Sequence, residues 1–95
     1  MKGYWISVYE KTAENEIQKK YAEKATIAIL KHSGKFLVRG GKNISKEGQN
    51  SPRSVVVEFP SIEEAVKCYN SKEYKEALFI LNGRAKRSFQ IIEGI

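Results

Sequence analysis

Ser54-Val55-Val56-Val57-Glu58-Phe59-Pro60-Ser61-Ile62-Glu63-Glu64 is the stretch on which the fold turns. Its β-branched run reads as part of a strand over Arg53 to Phe59, and Pro60, which has no backbone N–H to offer a ladder, ends it. Ser61 followed three residues later by Glu64 has the spacing of a capping box, which starts a helix through Ala65, Val66 and Tyr69. Asn70-Ser71 interrupts that helix. Ser71 caps a second piece through Tyr74, Leu78 and Leu81, and Asn82-Gly83 terminates it.

Upstream, Gly3 to Tyr9 is an aromatic and β-branched strand, with Tyr4, Ile6 and Val8 on one face and Trp5, Ser7 and Tyr9 on the other. From about Thr12 or Asn15 to His32 the spacing becomes helical, with Ile17, Tyr21, Ala25 and Ala28 along one side and Gly34 as the stop. Lys35 to Arg39 is the second strand, Gly40 to Pro52 a polar loop, and Ser88 to Glu93 the last strand. The order β-α-β-β-α-β is that of the ferredoxin-like split βαβ, an α+β fold with an antiparallel four-stranded sheet and its helices on one face. On this reading the uncovered face carries Trp5, Ser7, Tyr9, Leu37, Arg39, Val56, Glu58, Gln90 and Ile92. That surface is too apolar for water, so a two-fold homodimer packed sheet to sheet is expected.

The chain has 95 residues, room for one domain over residues 1–95. Its acids are all glutamate, so no aspartate dyad or Ser-His-Asp triad can be built. One histidine, His32, and one cysteine, Cys68, fall short of a zinc site within one chain, and the lone cysteine suits a reducing compartment. The uncharged run at the N-terminus is too short for a signal or a membrane span. A cytoplasmic protein with no metal, no cofactor and no membrane contact is expected.

Several motifs, in order and at matching separations, carry a resemblance to a known family. They are Gly3-Tyr4-Trp5-Ile6, Ser33 to Gly41 (SGKFLVRGG), Val57 to Ser61 (VEFPS), Tyr69 to Tyr74 (YNSKEY) and Ile92-Glu93-Gly94. Together they resemble the family labelled domain of unknown function 1330, nearly end to end. The resemblance implies a subunit of the dimeric α/β-barrel superfamily, which includes cofactor-free monooxygenases, isomerases and haem enzymes, in a family with no established reaction. This chain departs from the family pattern at Lys72, where proline is frequent, at Ile27, where a proline is common, and at Leu81, where an arginine is common.

Arg39 interrupts an apolar strand before two glycines, as a guanidinium that holds a carboxylate or enolate would, or one in an interface ion pair. Glu58, if partly buried without a cation, would be a proton donor or acceptor. His32 at a helix end is either a dipole-favoured cation or a proton shuttle. Trp5, Tyr9 and Tyr74 would line a small-molecule site, with Tyr69 and Ser71 on its rim; Tyr21 and Cys68 read as core. Two functions follow: a cofactor-free enzyme acting on a small anionic or aromatic molecule by proton transfer or oxygenation, or a non-catalytic dimer that binds such a ligand.

The net charge of +6 invites a nucleic-acid reading, and the RRM shares this element order. RRM recognition needs stacking rings on the third strand, where this chain has Val55, Val56 and Val57. Its only basic cluster, Arg84, Lys86 and Arg87, reads as a solvated surface, so no nucleic-acid partner is expected.

Overall fold

Two serines set the helix starts. Ser61 Oγ accepts the Glu64 N–H at 3.1 Å and Ser71 Oγ accepts the Tyr74 N–H at 3.2 Å, each satisfying a donor that the first helical turn leaves orphaned. The cap at Ser71 forms with Lys72 in place of the family's frequent proline. The computed structural model describes all 95 residues. Its elements are β1 (Gly3–Lys11), α1 (Asn15–Lys31), β2 (Lys35–Arg39), β3 (Ser54–Phe59), α2 (Ile62–Tyr69), α3 (Lys72–Leu81) and β4 (Lys86–Glu93). The strands form one antiparallel sheet in the order β2-β3-β1-β4, the ferredoxin-like arrangement.

Helix α1 ends differently from the sequence expectation. The left-handed residue is Ser33, at φ 61°, and not Gly34. Gly34 serves close packing instead: a Cβ there would lie 2.5 Å from Ile29 Cγ2 and 2.9 Å from Phe59 Cε1. Ile27, at the position where the family commonly has proline, is 61% exposed on the outer side of α1 and leaves the helix unbroken.

The sheet faces are the main correction. Trp5, Ser7 and Tyr9 point toward the helices, and the uncovered face carries Tyr4, Ile6 and Val8 with Val56, Glu58, Gln90 and Ile92. Both sets on β1 are apolar enough for a core, so hydrophobicity alone does not separate them. The indole decides it: Trp5 Nε1–H donates to Ala65 O on α2 at 2.9 Å, and the ring packs against Phe59, Tyr74 and Phe89 at centroid distances of 5.0, 4.7 and 5.1 Å. Register places Glu58 opposite Tyr4, on the uncovered face.

Arg39 also belongs to the helix-side face. The ladder of β2 on β3 slips between Phe36 and Val38, so Leu37 is the extra residue of a bulge. Phe36 lies opposite Val57 and Arg39 opposite Val55, both on the covered side, although three residues separate them. Unbroken alternation would have left Arg39 outside with Glu58.

Replacing Trp5 tests the assignment of faces. Trp5→Ala should lower the unfolding free energy by about 3–5 kcal/mol in denaturant titration, as for a ring removed from a packed core. A loss below about 1 kcal/mol would put the indole on the uncovered side.

Candidate functional site

The alternation that buries Trp5 carries Ser7 and Tyr9 to the same side, and β4 repeats the pattern with Arg87, Phe89 and Ile91. Arg87 lies directly opposite Tyr9 in the ladder, so its guanidinium enters the layer between sheet and helices. There its Nη1 donates to Ser7 Oγ at 3.3 Å, Tyr9 OH at 3.2 Å and Tyr21 OH at 3.1 Å, and its Nη2 donates to Tyr74 OH at 3.1 Å. It also sits 4.9 to 5.3 Å from the ring centroids of Tyr9, Tyr21 and Phe89. Three phenols and a serine therefore surround one half-buried cation, and no carboxylate bonds it.

The phenols are themselves fixed. Tyr21 OH and Tyr74 OH are 2.6 Å apart, and Gln18 Nε2 donates to Tyr9 OH at 3.0 Å while Gln18 Oε1 accepts the Ala13 N–H. Burial pushes the Tyr21 phenol above its ordinary value, with Arg87 pulling it partly back. Burial, and then the adjacent Tyr21, push the Tyr74 phenol up as well. Both hydroxyls are thus proton-bearing at neutral pH.

A pocket opens beside this cluster, between α1 and the strands. Helix α1 packs chiefly on α3 and stands off the sheet more than α2 does. Trp5, Phe36, Val55 and Val57 make its apolar wall; Arg87 stands at one end, and Arg39 and Arg53 stand at the other. The cavity volume is about 30 Å³, room for about two waters, so an organic ligand must push aside the rim. The rim residue is Arg39, whose Nη2 donates to Thr26 Oγ1 on α1 at 2.6 Å and whose guanidinium lies 4.1 Å from the Phe36 ring centroid.

The residues nominated from the sequence divide accordingly. Trp5, Tyr9 and Arg39 border the pocket, and Tyr74 bonds Arg87 beside it. Tyr69 packs on the far side of Trp5, against Phe89 at 5.0 Å, and Ser71 is occupied by helix capping. Glu58 is on the opposite face of the sheet, where it accepts a hydrogen bond from Tyr4 OH at 3.2 Å. His32 caps α1, its Nδ1 2.9 Å from Ala28 O. Neither lines the pocket, so within one chain neither is joined to Arg39 or to the phenols. Cys68 is fully buried and its thiol is pushed up to about 12 by burial, with Glu64 and Glu73 adding to the shift.

Arg87, Tyr21, Gln18 and Arg53 did not emerge from the sequence as site residues. The signal for Arg87 was present, since it alternates with Phe89 and Ile91 on the covered face of β4. Starting that strand at Ser88 excluded it, whereas the strand begins at Lys86. Of the basic cluster, only the other two members are surface residues: Arg84 pairs with Glu14 at 3.3 Å and Lys86 with Glu10 at 3.0 Å. Leu81, at the position where the family commonly has arginine, is buried in the core.

Comparison with known proteins places the chain. The family model described as a domain of unknown function (DUF1330) matches residues 2–95. The chain belongs to the DUF1330 family. No curated protein matches it. Among solved structures, the methylated RPA0582 protein of Rhodopseudomonas palustris, of unknown function, superposes with a TM-score of 0.79 at 14% identity, over 99% of this chain and 81% of that one. A dimeric ferredoxin-like protein of unknown function from Bacteroides fragilis gives 0.58 at 17% identity, over 98% and 96%. A Caulobacter crescentus protein proposed to be an antibiotic biosynthesis monooxygenase gives 0.55 at 10% identity, over 99% and 89%. These likenesses establish a ferredoxin-like fold for this DUF1330 chain. No helix is long and apolar enough to cross a membrane.

The buried phenols make stability depend on pH in one direction. Tyr21 and Tyr74 ionise above their ordinary value of 10.0 when folded, so below that pH both states are protonated and the fold loses nothing. Above it the unfolded chain ionises first and stability falls. Phenolate absorbance should therefore show a late step coincident with loss of far-UV circular dichroism. Reversible ionisation of all five tyrosines near pH 10 with the fold intact would contradict this.

Proposed function

We propose that the protein binds a small organic anion, with the anionic group against Arg87 and the apolar body along Trp5 and Phe36. One observation carries this reading: a half-buried guanidinium held by hydroxyl oxygens and by no carboxylate. Such a cation is costly unless an anion completes it. Hydroxyl protons are also in surplus. Tyr9 OH already accepts from Gln18 and Arg87, which leaves its own proton for another acceptor, and the Tyr21–Tyr74 contact uses only one of that pair's two.

The chemistry this favours is oxyanion stabilisation, by charge-assisted donors aimed at a carboxylate, enolate or phenolate. The polar groups lining the pocket include no base for neutral pH, because guanidinium stays protonated and the Tyr21 hydroxyl is held so. A substrate would arrive as an anion, which favours the binding reading over proton abstraction by Glu58 or His32. Oxygenation of a bound enolate or phenolate is the second reading. It is favoured by the shared fold of the C. crescentus protein proposed to be a monooxygenase.

The assembly we propose is a homodimer through the uncovered sheet face. Val8 and Ile92 there are 43% and 41% exposed, with Tyr4, Ile6 and Val56 half-buried between them. Fully burying each large apolar side chain contributes about 1.5–3 kcal/mol. The dimeric state of the B. fragilis protein of the same fold supports it.

Two outcomes test these readings. Arg87→Met should fold with a stability within about 1 kcal/mol of the parent, since an apolar chain of similar length replaces a desolvated charge. Millimolar benzoate, compared with chloride at equal ionic strength, should raise the melting temperature of the parent and leave that of the variant unchanged. Equal stabilisation of both proteins, or of neither, contradicts the anion reading. For the assembly, sedimentation equilibrium at micromolar concentration should give a dimer for the parent and a monomer for Val56→Glu; a monomeric parent would dispose of it.

A further inference from the structure

The pocket holds more cationic charge than one anionic group needs. Arg39 and Arg53 border it along with Arg87, and none of the three takes part in an ion pair. The other polar groups of its lining residues are the hydroxyls of Ser7, Tyr9 and Tyr21 and the Trp5 indole N–H, which is spent on Ala65 O, and no glutamate is present.

The sheet register sets these cations apart in a definite way. Arg87 is opposite Tyr9 on one side, and Tyr9 N–H donates to Arg53 O on the other at 2.9 Å. Arg87, Tyr9 and Arg53 thus form one row across β4, β1 and the residue that leads into β3, with the arginines two strand spacings apart, about 10 Å at the backbone. Arg39 joins the Arg53 end. It precedes Gly40, and a Cβ on Gly40, whose φ is 71°, would lie 3.0 Å from Arg53 Nη1. The guanidinium of Arg53 therefore rests over the backbone beside Arg39.

Between the two charged ends lie Tyr9, Ser7 and Val55, and the rings of Trp5 and Phe36 stand in the next row along the strands. Resting on the anion reading above, we infer that the natural ligand is a dianion: a dicarboxylate, or a carboxylate bearing a second oxyanion, with an apolar or aromatic spacer about one ring long. One anionic group bonds Arg87 and the phenols. The other draws Arg39 off Thr26 and is clasped by Arg39 and Arg53 at the rim, which also opens the narrow cavity. Arg39 thus acts as the strap that closes on a doubly charged ligand, whereas a singly charged one displaces it from Thr26 and offers no second anionic group in return.

Matched probes separate this inference from the reading beneath it. Calorimetric titration would compare terephthalate with monomethyl terephthalate, which has the same ring and one charge fewer, at fixed ionic strength. The parent should bind the diacid about tenfold more tightly, as one further charge-assisted contact would give. In Arg39→Gln/Arg53→Gln that ratio should fall toward one, while Lys19→Gln/Lys20→Gln, with the same net charge but changes outside the pocket, keeps it. Equal affinity of the parent for both probes overturns the dianion inference and leaves the single-anion site standing. A ratio that falls equally in the Lys19/Lys20 variant reduces the preference to general electrostatics and also overturns it. If neither probe binds the parent, the anion site itself is wrong.

Discussion

The hydrogen bond from the Trp5 indole to the carbonyl of Ala65 is the contact on which the rest depends. A large ring with one polar atom can be buried only where that atom finds an acceptor, and α2 offers one directly above β1. Once Trp5 faces inward, the two-residue period of a strand takes Ser7 and Tyr9 in with it and turns Tyr4, Ile6 and Val8 out. Antiparallel pairing then propagates the choice across the sheet, bringing Arg87 in opposite Tyr9 and leaving Glu58 out opposite Tyr4. The pocket and the bare face are two consequences of one orientation.

Arg87 is the element that packing does not explain. A leucine or methionine in its place would suit the neighbouring Phe89 and Ile91, and the net contribution of a desolvated charge to stability is commonly unfavourable. What makes it tolerable here is a shell of oxygen dipoles from three phenols and Ser7, supplemented by ring faces. That shell neutralises no charge. The protein therefore keeps a focused positive potential in a site of low polarisability, where an anion is bound more strongly than at the surface. Natural chains violate local packing preference most often where a function requires it.

Much of this was legible from residue order. The capping serines, Pro60 and the alternation of strands and helices defined the ferredoxin-like topology, and the ordered motifs indicated the family. Three features were hidden for physical reasons. Both faces of β1 are apolar, so only the hydrogen-bond requirement of Trp5, met by a residue 60 positions away, distinguishes them. The bulge at Leu37 leaves no mark in a run of apolar residues, yet it reverses the side on which Arg39 falls. Arg87 stood in a basic stretch that resembles a solvated surface, and its inward direction follows only from starting β4 at Lys86. Tyr9, Tyr74 and Arg39 were nominated from their chemistry and lie at or beside the pocket; Tyr21 was read as core, and it is indeed buried, but its hydroxyl belongs to the same cluster.

The central claim is that Arg87 and its phenols form an anion site without an anion of the protein's own. The most direct measurement is a crystal structure of the protein soaked with benzoate. The account predicts a carboxylate within hydrogen-bond distance of the Arg87 guanidinium and of at least one phenol, with its ring against Trp5 or Phe36. Benzoate found only on surface lysines, with the Arg87 cluster unchanged, would contradict it.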